Sequence, residues 1–318
     1  MERRKFLIAS ALSSFSVRAV QASYATKPIR VIVAAPAGSG PDIVTRKVGQ
    51  LLGEKLGQSV VVENKSGARG AIGARAVAKA EPDGHTLIMG YASSFCLEPA
   101  LYRSVQFDSM RDFEPVAMIG SLSPALLIRN DLPINTLGEL IEHARRSPNT
   151  LTVGNSSSTN TLLTALLEQE ANITLYKIPY ATSGEARLDL LGGRLDLHFD
   201  PPAAIPSQID SGRVKPLVMY SAQRAPSLSD TPTVAEAGFP ALAFSGWNGF
   251  LAPAGTPKPI ITELNAAIRD IVNAPETAQT LSQLGLSPED ATPDEFRKII
   301  SDMISRFTAV AERAGLRQ

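Results

Sequence analysis

Residues 27–90 read KPIRVIVAAPAGSGPDIVTRKVGQLLGEKLGQSVVVENKSGARGAIGARAVAKAEPDGHTLIMG and give the clearest indication of how this chain folds. A β-branched run at Ile29–Val33 leads into a loop of small residues at 36–41, and a helical pattern begins at Asp42. A second apolar run at 60–62 is followed by a glycine-rich loop and a second helical pattern. This alternation predicts a β-loop-α-β-loop-α unit. Because small residues stand where each loop meets a helix, backbone N–H groups there are available to bind an anion.

The length and composition are those of a globular protein without unusual bias. The 318 residues predict one large domain or two of medium size, and 44% hydrophobic and 19% charged residues are ordinary values. The formal net charge of +0 argues against a surface that binds nucleic acid or a membrane. Cys96 is the only cysteine, which excludes an intrachain disulfide, and we expect it to be a buried apolar residue rather than a nucleophile.

The first 22 residues have the features of an export signal. A charged start at 2–5 precedes a short apolar stretch at 6–17, and small residues at 20–22 resemble a cleavage site. The arginine pair in the charged start also resembles a twin-arginine signal. We therefore predict a signal peptide over 1–22, cleaved after about Ala22, and a periplasmic location. The alternative is the frayed N-terminus of a cytosolic protein.

Strand-like and helix-like segments alternate almost to the C-terminus, which predicts an α/β fold. The predicted strands are 29–33, 60–62, 86–89, 116–119, 125–128, 152–153, 195–199, 215–220 and 249–251. The predicted helices are 42–56, 71–80, 136–146, 161–170, 183–191, 258–273, 275–284 and 293–314. Asp42, Thr136 and Thr292 are the predicted N-caps of three of these helices.

Two short apolar strands, at 125–128 and 249–251, each end in a turn and are candidates for crossings between two lobes. A lobe inserted between two such crossings predicts a bilobed α/β protein with a cleft and a hinge. The predicted bounds are 23–125 plus 248–318 for lobe I and 126–247 for lobe II.

The first loop would let a ligand approach the backbone closely, because it carries no bulky side chain. Its small residues are Ala37, Gly38, Ser39 and Gly40. The loop is not a nucleotide-binding P-loop, since Gly-Lys-Ser/Thr is missing. The dinucleotide glycine pattern lacks its third glycine, where Ile43 stands. Taken alone, the loop is either an anion site or a tight turn.

Polar groups follow two later strands. The stretch NSSSTNT at 155–161 lies between a strand and a helix. It provides either ordinary turn and capping chemistry or a set of donors that would clamp a carboxylate together with the first loop. Asp200 stands at the end of a strand, where α/β folds bind ligands, or it turns the chain before two prolines.

The sequence offers little for catalysis. His85, His143 and His198 lack metal-ligand spacing, and motifs for a serine nucleophile, a zinc protease or paired cysteines do not occur. His198 and Asp200 are the one couple that could act as acid and base if they face the cleft. We predict no catalytic residue, no metal and no cofactor.

Several segments, in order and spacing, resemble a known family. KPIRVIVAAPAGSGPD at 27–42, IPYATSGEARLDLLGGRLDLHFD at 178–200 and WNGFLAPAGTPKPII at 247–261 resemble the Bug (Bordetella uptake gene) family, the substrate-binding receptors of tripartite tricarboxylate transporters. The similarity runs from about Lys27 to Gly315. It implies a type II periplasmic-binding-protein fold, with two lobes that close like a Venus flytrap.

The resemblance also implies what the protein does. Such a receptor captures a small organic acid (a di- or tricarboxylate, an aromatic acid or an amino acid) and delivers it to membrane permease subunits. We expect a monomer. A ligand sensor with a signalling partner, or an enzyme that acts on a carboxylic acid on the same fold, are the alternatives.

The family holds a ligand carboxylate largely with backbone groups and ordered waters from the first loop and from a loop of the second lobe. The residues implied here are Ala37, Gly38, Ser39, Gly40, Asp42, Asn155, Ser156, Ser157, Ser158 and Thr159. Ser93, Tyr180 and Asp200 are further candidates at matching positions, and Tyr91 is a candidate because it departs from the family pattern.

Three departures from the family pattern lie near the predicted cleft. Thr161 takes the place of a His at the start of a helix. Tyr91 and Phe95 stand where a Thr and a His are common, and Pro201 stands where an Asn is common. If Tyr91 and Phe95 face the pocket, they favour an aromatic or bulkier acid.

Overall fold

The computed structural model describes residues 24–318; the predicted signal peptide lies outside the described residues. The strands are β1 Ile29–Val33, β2 Val60–Asn64, β3 Thr86–Tyr91, β4 Phe113–Leu122, β5 Ala125–Arg129, β6 Thr152–Asn155, β7 Tyr176–Pro179, β8 Leu197–Asp200, β9 Val214–Met219, β10 Gly246–Pro253 and β11 Ser287–Pro288. The α-helices are α1 Gly40–Leu56, α2 Ala71–Ala78, α3 Glu98–Leu101, α4 Leu137–Arg146, α5 Ser158–Ala171, α6 Ser183–Leu191, α7 Pro206–Ile209, α8 Lys258–Asn273, α9 Pro275–Gln283 and α10 Pro293–Arg313. Among the described residues, we find no helix with the length and apolar character that a membrane span requires.

The first sheet has six strands in the order β11-β4-β10-β3-β1-β2. β1 is parallel to β2 and β3, whereas β10 is antiparallel to β3 and β4. β1 is apolar on both faces, as expected of a parallel strand that is covered on both sides. Val48 and Leu52 of α1 share one core with Leu264 and Ile268 of α8. Because β1 is parallel to β2 and β3, the loop after β1 lies at the carboxyl edge of these three strands, and α1 begins there.

The second sheet has five strands in the order β7-β6-β8-β5-β9. β6 is parallel to β7 and β8, so α5 and α6, which follow β6 and β7, begin at one edge of the sheet. Helix α5 also contacts α10. Its apolar residues Leu162 and Leu166 lie in one core with Phe307, and the Gln169 side-chain amide donates to the Val310 carbonyl at 2.9 Å.

The chain passes between the two sheets twice, and the two passages lie side by side. β4 leads to β5 through Ser123 and Pro124, and the return runs from β9 to β10. The N–H of Tyr220 donates to the Pro124 carbonyl at 3.0 Å, and the N–H of Phe244 donates to the Tyr220 carbonyl at 2.8 Å. The molecule thus has two α/β halves joined by two adjacent crossings. The lobe bounds, 23–125 plus 248–318 for lobe I and 126–247 for lobe II, remain predictions.

Several elements have the predicted bounds, and two predicted caps are confirmed. β1, α6 and α8 begin and end as predicted. Thr136 accepts the backbone N–H of Glu139, and Thr292 forms a full capping box with Glu295.

The starts of α1 and α5 differ from the prediction. Helix α1 begins at Gly40 after Ser39, so Asp42 lies inside the first turn and is not the cap. Pro41 explains the difference, because proline is favoured in a first turn, where no N–H partner is needed. Helix α5 begins at Ser158 instead of at residue 161, because the Ser157 side chain caps it.

The sequence did not predict β7 or the single π-helical turn at Ser93–Leu97. β7 is an edge strand with little burial, and its Tyr176 is 58% exposed, so it lacks the apolar run of a central strand. The π-helical turn joins β3 directly to α3 and has no local sequence signal.

Candidate ligand-binding site

A cavity of about 290 Å³, here named the central cavity, lies between the two halves of the molecule. Its lining residues are Gly40, Pro41, Val44, Tyr91, Ala92, Ser93, Leu122, Pro124, Ser157, Thr159, Asn160, Ser183, Phe199, Pro201, Phe244, Gly246, Trp247, Asn248, Leu284 and Leu286. These described residues include no Lys, Arg, His, Asp or Glu. Any charge on a ligand must therefore be met by neutral donors and by helix ends.

The start of α1 reaches the central cavity with Gly40, Pro41 and Val44. The other small residues of the predicted first-loop site, Ala37, Gly38 and Ser39, do not line it. Gly38 has a φ of 78°, a conformation that glycine adopts without strain, so it forms the turn before the helix.

Asp42 does not line the central cavity, because its carboxylate is turned back onto the loop. It accepts the Gly38 N–H at 2.8 Å, the Asn64 side-chain amide at 2.9 Å and the Arg46 guanidinium at 3.0 Å. Burial opposes the charged form, yet these donors together hold the pKa of Asp42 below its usual range. Asp42 is a charged group that fastens the loop.

The start of α5 reaches the central cavity with Ser157, Thr159 and Asn160. Ser157 is the N-cap, and its hydroxyl accepts the Asn160 N–H at 3.2 Å. The backbone N–H groups of Ser158 and Thr159 have no hydrogen-bond partner within residues 24–318. The positive end of the helix dipole therefore stands at the cavity with two unpaired amides, that of Thr159 in the lining and that of Ser158 next to it in the chain.

The remaining hydroxyls and amides of this loop bond within the protein. The Asn155 side-chain oxygen accepts the Thr164 hydroxyl at 3.1 Å. Ser156 and Ser183 share a hydrogen bond of 2.8 Å between their hydroxyls, and Ser183, at the start of α6, lines the cavity. The Ser158 hydroxyl donates to the Glu98 carboxylate of the opposite half. The structure thus places Asn155, Ser156 and Ser158 beside the cavity lining rather than in it.

Asp200 and Tyr180, two further predicted site residues, also lie outside the cavity lining. The Asp200 carboxylate is fully buried and receives two hydrogen bonds from Arg187, at 2.7 and 2.8 Å. Tyr180 donates its hydroxyl to Asp189 at 3.0 Å, and burial together with this carboxylate raises the pKa of Tyr180 to about 12. Both residues fix helix α6 in place.

His198 lies beneath the start of α5 and is fully buried. Its Nδ1 lies 3.4 Å from the Asn160 side-chain nitrogen and 3.3 Å from the Gly154 carbonyl oxygen. Burial lowers the pKa of His198, and the charge of Asp200 compensates only in part. Since neither His198 nor Asp200 lines the central cavity, the acid–base couple considered from sequence does not face a ligand there.

The two aromatic departures from the family pattern have different positions. Tyr91 lines the cavity and donates its hydroxyl to the Ala34 carbonyl at 3.1 Å, and Ser93 lines the cavity beside it. The expectation for Phe95 is wrong. Its ring is fully buried and packs against Phe107 and Phe113, each at 5.2 Å between centroids.

Phe95 lies within the π-helical turn Ser93–Leu97, and its side chain points into the core. Cys96 is buried beside it, as expected, and burial raises the pKa of its thiol to about 12. A buried thiol of this kind is not reactive.

Sequence analysis missed the apolar side of the central cavity. We name it the apolar floor; its residues are Leu122, Pro124, Phe199, Phe244, Trp247, Leu284 and Leu286. They come from the two crossings, from the ends of β4, β8 and β10, and from the segment after α9. No local motif connects segments so far apart in sequence. The one available signal was the position of Pro124 and Phe244 next to the predicted crossings.

The described residues include no group of three or more His, Cys, Asp or Glu side chains that could hold a metal ion. The lining of the central cavity likewise contains no charged group to pair with a phosphate. What the site does offer is neutral: hydroxyls, the side-chain amides of Asn160 and Asn248, and the backbone amides at the start of α5.

The chain matches the profile of the tripartite tricarboxylate transporter family receptor over residues 44–316. BugT of Bordetella pertussis (strain Tohama I) is 32% identical over 296 residues, which cover 92% of this chain and 91% of BugT. A solved R. palustris protein with adipate is 32% identical, with a TM-score of 0.76, over 91% of this chain and 98% of that one. MatC from Rhodopseudomonas palustris with bound malate is 28% identical, with a TM-score of 0.71, over 90% and 99% of the two chains.

These likenesses confirm the periplasmic-binding-protein fold expected from the sequence. They extend over nearly the whole chain and include both sheets and both crossings. The chain belongs to the family of tripartite tricarboxylate transporter receptors that includes the Bug proteins.

Proposed function

We propose that this protein is an extracytoplasmic receptor that captures a small organic carboxylate in the central cavity and delivers it to the permease of a tripartite transporter. One observation supports this most: an uncharged cavity receives the start of α5, where the amides of Ser158 and Thr159 have no partner among the described residues. A helix N-terminus of this kind binds anions.

Neutral donors suit a receptor that must release its ligand. A carboxylate that enters the cavity loses water and needs hydrogen bonds in return. Backbone amides, the Thr159 hydroxyl and the dipole of α5 can supply them without a buried cation, whereas the Ser157 hydroxyl already donates to the Asn160 side-chain oxygen at 3.1 Å. A buried lysine or arginine would bind the acid more strongly and slow its release.

The solved relatives support a carboxylate ligand, since one carries adipate and another malate. For this chain we propose the same chemical class, a monomeric state, a permease as partner and a periplasmic location. Closure of the two halves on the ligand would bury it and present a new combined surface to the permease.

We propose a binding role without catalysis. The central cavity is lined by no acid, base or thiol among the described residues, and the two groups weighed as a catalytic couple have other partners. Asp200 is paired with Arg187, and His198 is buried under α5.

Thermal unfolding of the purified protein in a panel of carboxylic acids, with product analysis of every acid that stabilises it, tests the proposal. A bound ligand stabilises the native state by mass action, so an acid at a hundred times its Kd adds about 2.7 kcal/mol. We expect stabilisation by at least one acid and no turnover. Conversion of a stabilising acid, or stabilisation by no acid at all, would overturn the proposal.

A further inference from the structure

We propose that the ligand is a monocarboxylic acid with a ring-sized apolar body: its carboxylate binds the start of α5 and its body lies on the apolar floor. This inference rests on the proposed function, because it assumes that a carboxylate is captured. It names the class of acid that this particular cavity accepts.

The apolar floor is a rigid surface formed before a ligand arrives. Phe199 packs edge-on against Tyr220 at 5.2 Å, Phe244 against Phe307 at 5.6 Å, and Trp247 against Phe296 at 4.9 Å. A ring therefore supports each aromatic side chain of the floor. Such a preformed surface favours an apolar ligand body in proportion to the area that it covers, with little loss of side-chain entropy.

The floor gives a second carboxylate no partner. It contains no polar side chain apart from the indole of Trp247, whose N–H is buried and lies toward the Cys96 thiol. An ionised group placed there would lose its hydration without compensation. A dicarboxylate that fits the cavity therefore binds less well than an acid with an apolar body.

The start of α1 is a poor site for that second carboxylate as well. Pro41 has no N–H to donate and the Gly38 N–H is bonded to Asp42, which leaves the amides of Gly40 and Asp42 as the unpaired donors of this turn within residues 24–318. The Asp42 carboxylate, which its partners keep ionised, repels an anion at this helix end. The α5 end of the cavity is thus suited to a carboxylate, and the apolar floor is suited to an apolar body.

The size of the cavity agrees with one ring. Its volume of about 290 Å³ is at the lower end of the usual range for ligand pockets, roughly 300–1,000 Å³. Leu122 and Leu284 are the two partly exposed residues of the floor.

Trp247 provides a direct readout, since it is the single tryptophan of the chain and lies on the floor. We would titrate the purified protein with phenylacetate, phenylacetamide, adipate and malate, and follow Trp247 fluorescence together with isothermal calorimetry. We expect phenylacetate to bind at least tenfold more tightly than adipate or malate, and phenylacetamide to bind at least tenfold more weakly than phenylacetate.

The outcomes separate this inference from the proposed function. If adipate or malate binds as tightly as phenylacetate or more so, the inference is overturned while carboxylate capture stands. If phenylacetamide binds as well as phenylacetate, or if no acid binds, carboxylate capture itself is wrong.

Leu284→Asn, with Leu51→Asn as matched control, tests the floor directly. Both leucines are partly buried and pack against the same core, but only Leu284 lines the central cavity. We expect Leu284→Asn to weaken phenylacetate binding about tenfold, which corresponds to about 1.4 kcal/mol, and not to weaken malate binding, because the new amide can donate to a second carboxylate. Leu51→Asn should change neither affinity. Equal losses for phenylacetate in the two variants, or an equal loss for malate in Leu284→Asn, would contradict the assignment of the floor.

Discussion

Two helices begin at the central cavity, and their first turns are built differently. Helix α1 presents Gly40, Pro41 and Val44, whereas α5 presents Ser157, Thr159 and Asn160. The first turn of α1 contains an acidic residue, Asp42, and that of α5 contains none. Each first turn has two amides that are unpaired among the described residues, those of Gly40 and Asp42 in α1 and those of Ser158 and Thr159 in α5. Only at α1 does a carboxylate of the same turn, that of Asp42, accept an amide of the preceding loop, that of Gly38.

The comparison shows that a helix start after a loop of small residues is not by itself an anion site. The charge within the first turn decides, because at α1 the Asp42 carboxylate opposes an external acid although two amides are unpaired there among the described residues. A protein carboxylate also lies near the start of α5, since Glu98 of the opposite half accepts the Ser158 hydroxyl. This carboxylate bonds to a side chain and not to a backbone amide. Burial raises the pKa of Glu98, and Ser158 and Arg69 offset this only in part. The amides of α5 stay available.

The largest effect concerns Asp42. Asp42→Ala should lower the free energy of unfolding by about 3 kcal/mol, because the Gly38 amide, Asn64 and Arg46 all lose their acceptor. Asp42→Asn, which keeps the shape and one acceptor oxygen, should cost less. Denaturant unfolding measures both, and phenylacetate affinity of the folded protein should change less than threefold. A tenfold loss of affinity without loss of stability would show that α1 holds the ligand.

The next effect concerns the amides of α5. Ser158→Pro removes the Ser158 N–H at a first-turn position where proline fits, since Ser157 before it is extended at φ −159° and ψ 165°. Ser158→Ala is the matched control, because both variants lose the hydroxyl bond to Glu98. A hydrogen bond to a charged group contributes about 1.5–3 kcal/mol, so Ser158→Pro should bind phenylacetate at least tenfold more weakly than Ser158→Ala. Equal affinity in the two calorimetric titrations would exclude the Ser158 amide as a donor.

The third effect, of intermediate size, is a pH dependence of the free energy of unfolding that arises from His198 beneath the start of α5. Burial lowers the pKa of His198 in the folded protein, whereas an unfolded histidine titrates at about 6.5. As the pH falls below about 6.5, the unfolded chain therefore binds a proton that the native state does not, and stability is lost. Between about pH 7 and pH 5, the free energy of unfolding of His198→Gln should fall less than that of the unsubstituted protein. Identical pH dependence of the two unfolding free energies would contradict this.

The smallest effect concerns Gly40 at the start of α1. Gly40→Pro removes an N–H at the cavity, and Gly40→Ala adds a Cβ that would meet no atom within 4 Å. Because Asp42 makes this helix end unfavourable for an anion, we expect the two variants to bind phenylacetate within about threefold of each other. A loss as large as that of Ser158→Pro would mean that both helix ends hold the acid.

The fold could be predicted from sequence because its signals are local. The β-branched run of β1, the capping threonines of α4 and α10 and the apolar surroundings of Cys96 each depend on neighbouring residues. The polar end of the site was predicted in part for the same reason, since Ser157 and Thr159 flank the start of a helix.

The rest of the site could not be predicted because tertiary packing determines it. Trp247, Phe244 and Leu284 come from separate segments and meet only when the two crossings lie side by side. Phe95 looked like a pocket residue next to Tyr91, but it lies within a π-helical turn and its ring points into the core. Asp42 looked like a cap, and Pro41 moved the helix start by two residues.

The crystal structure of the protein with phenylacetate is the most direct measurement. We predict that the carboxylate lies within hydrogen-bond distance, about 3 Å, of the Ser158 and Thr159 amides, with the ring against Phe199, Phe244 and Trp247. A carboxylate bound at Gly40 with the ring turned away from the apolar floor would contradict the account.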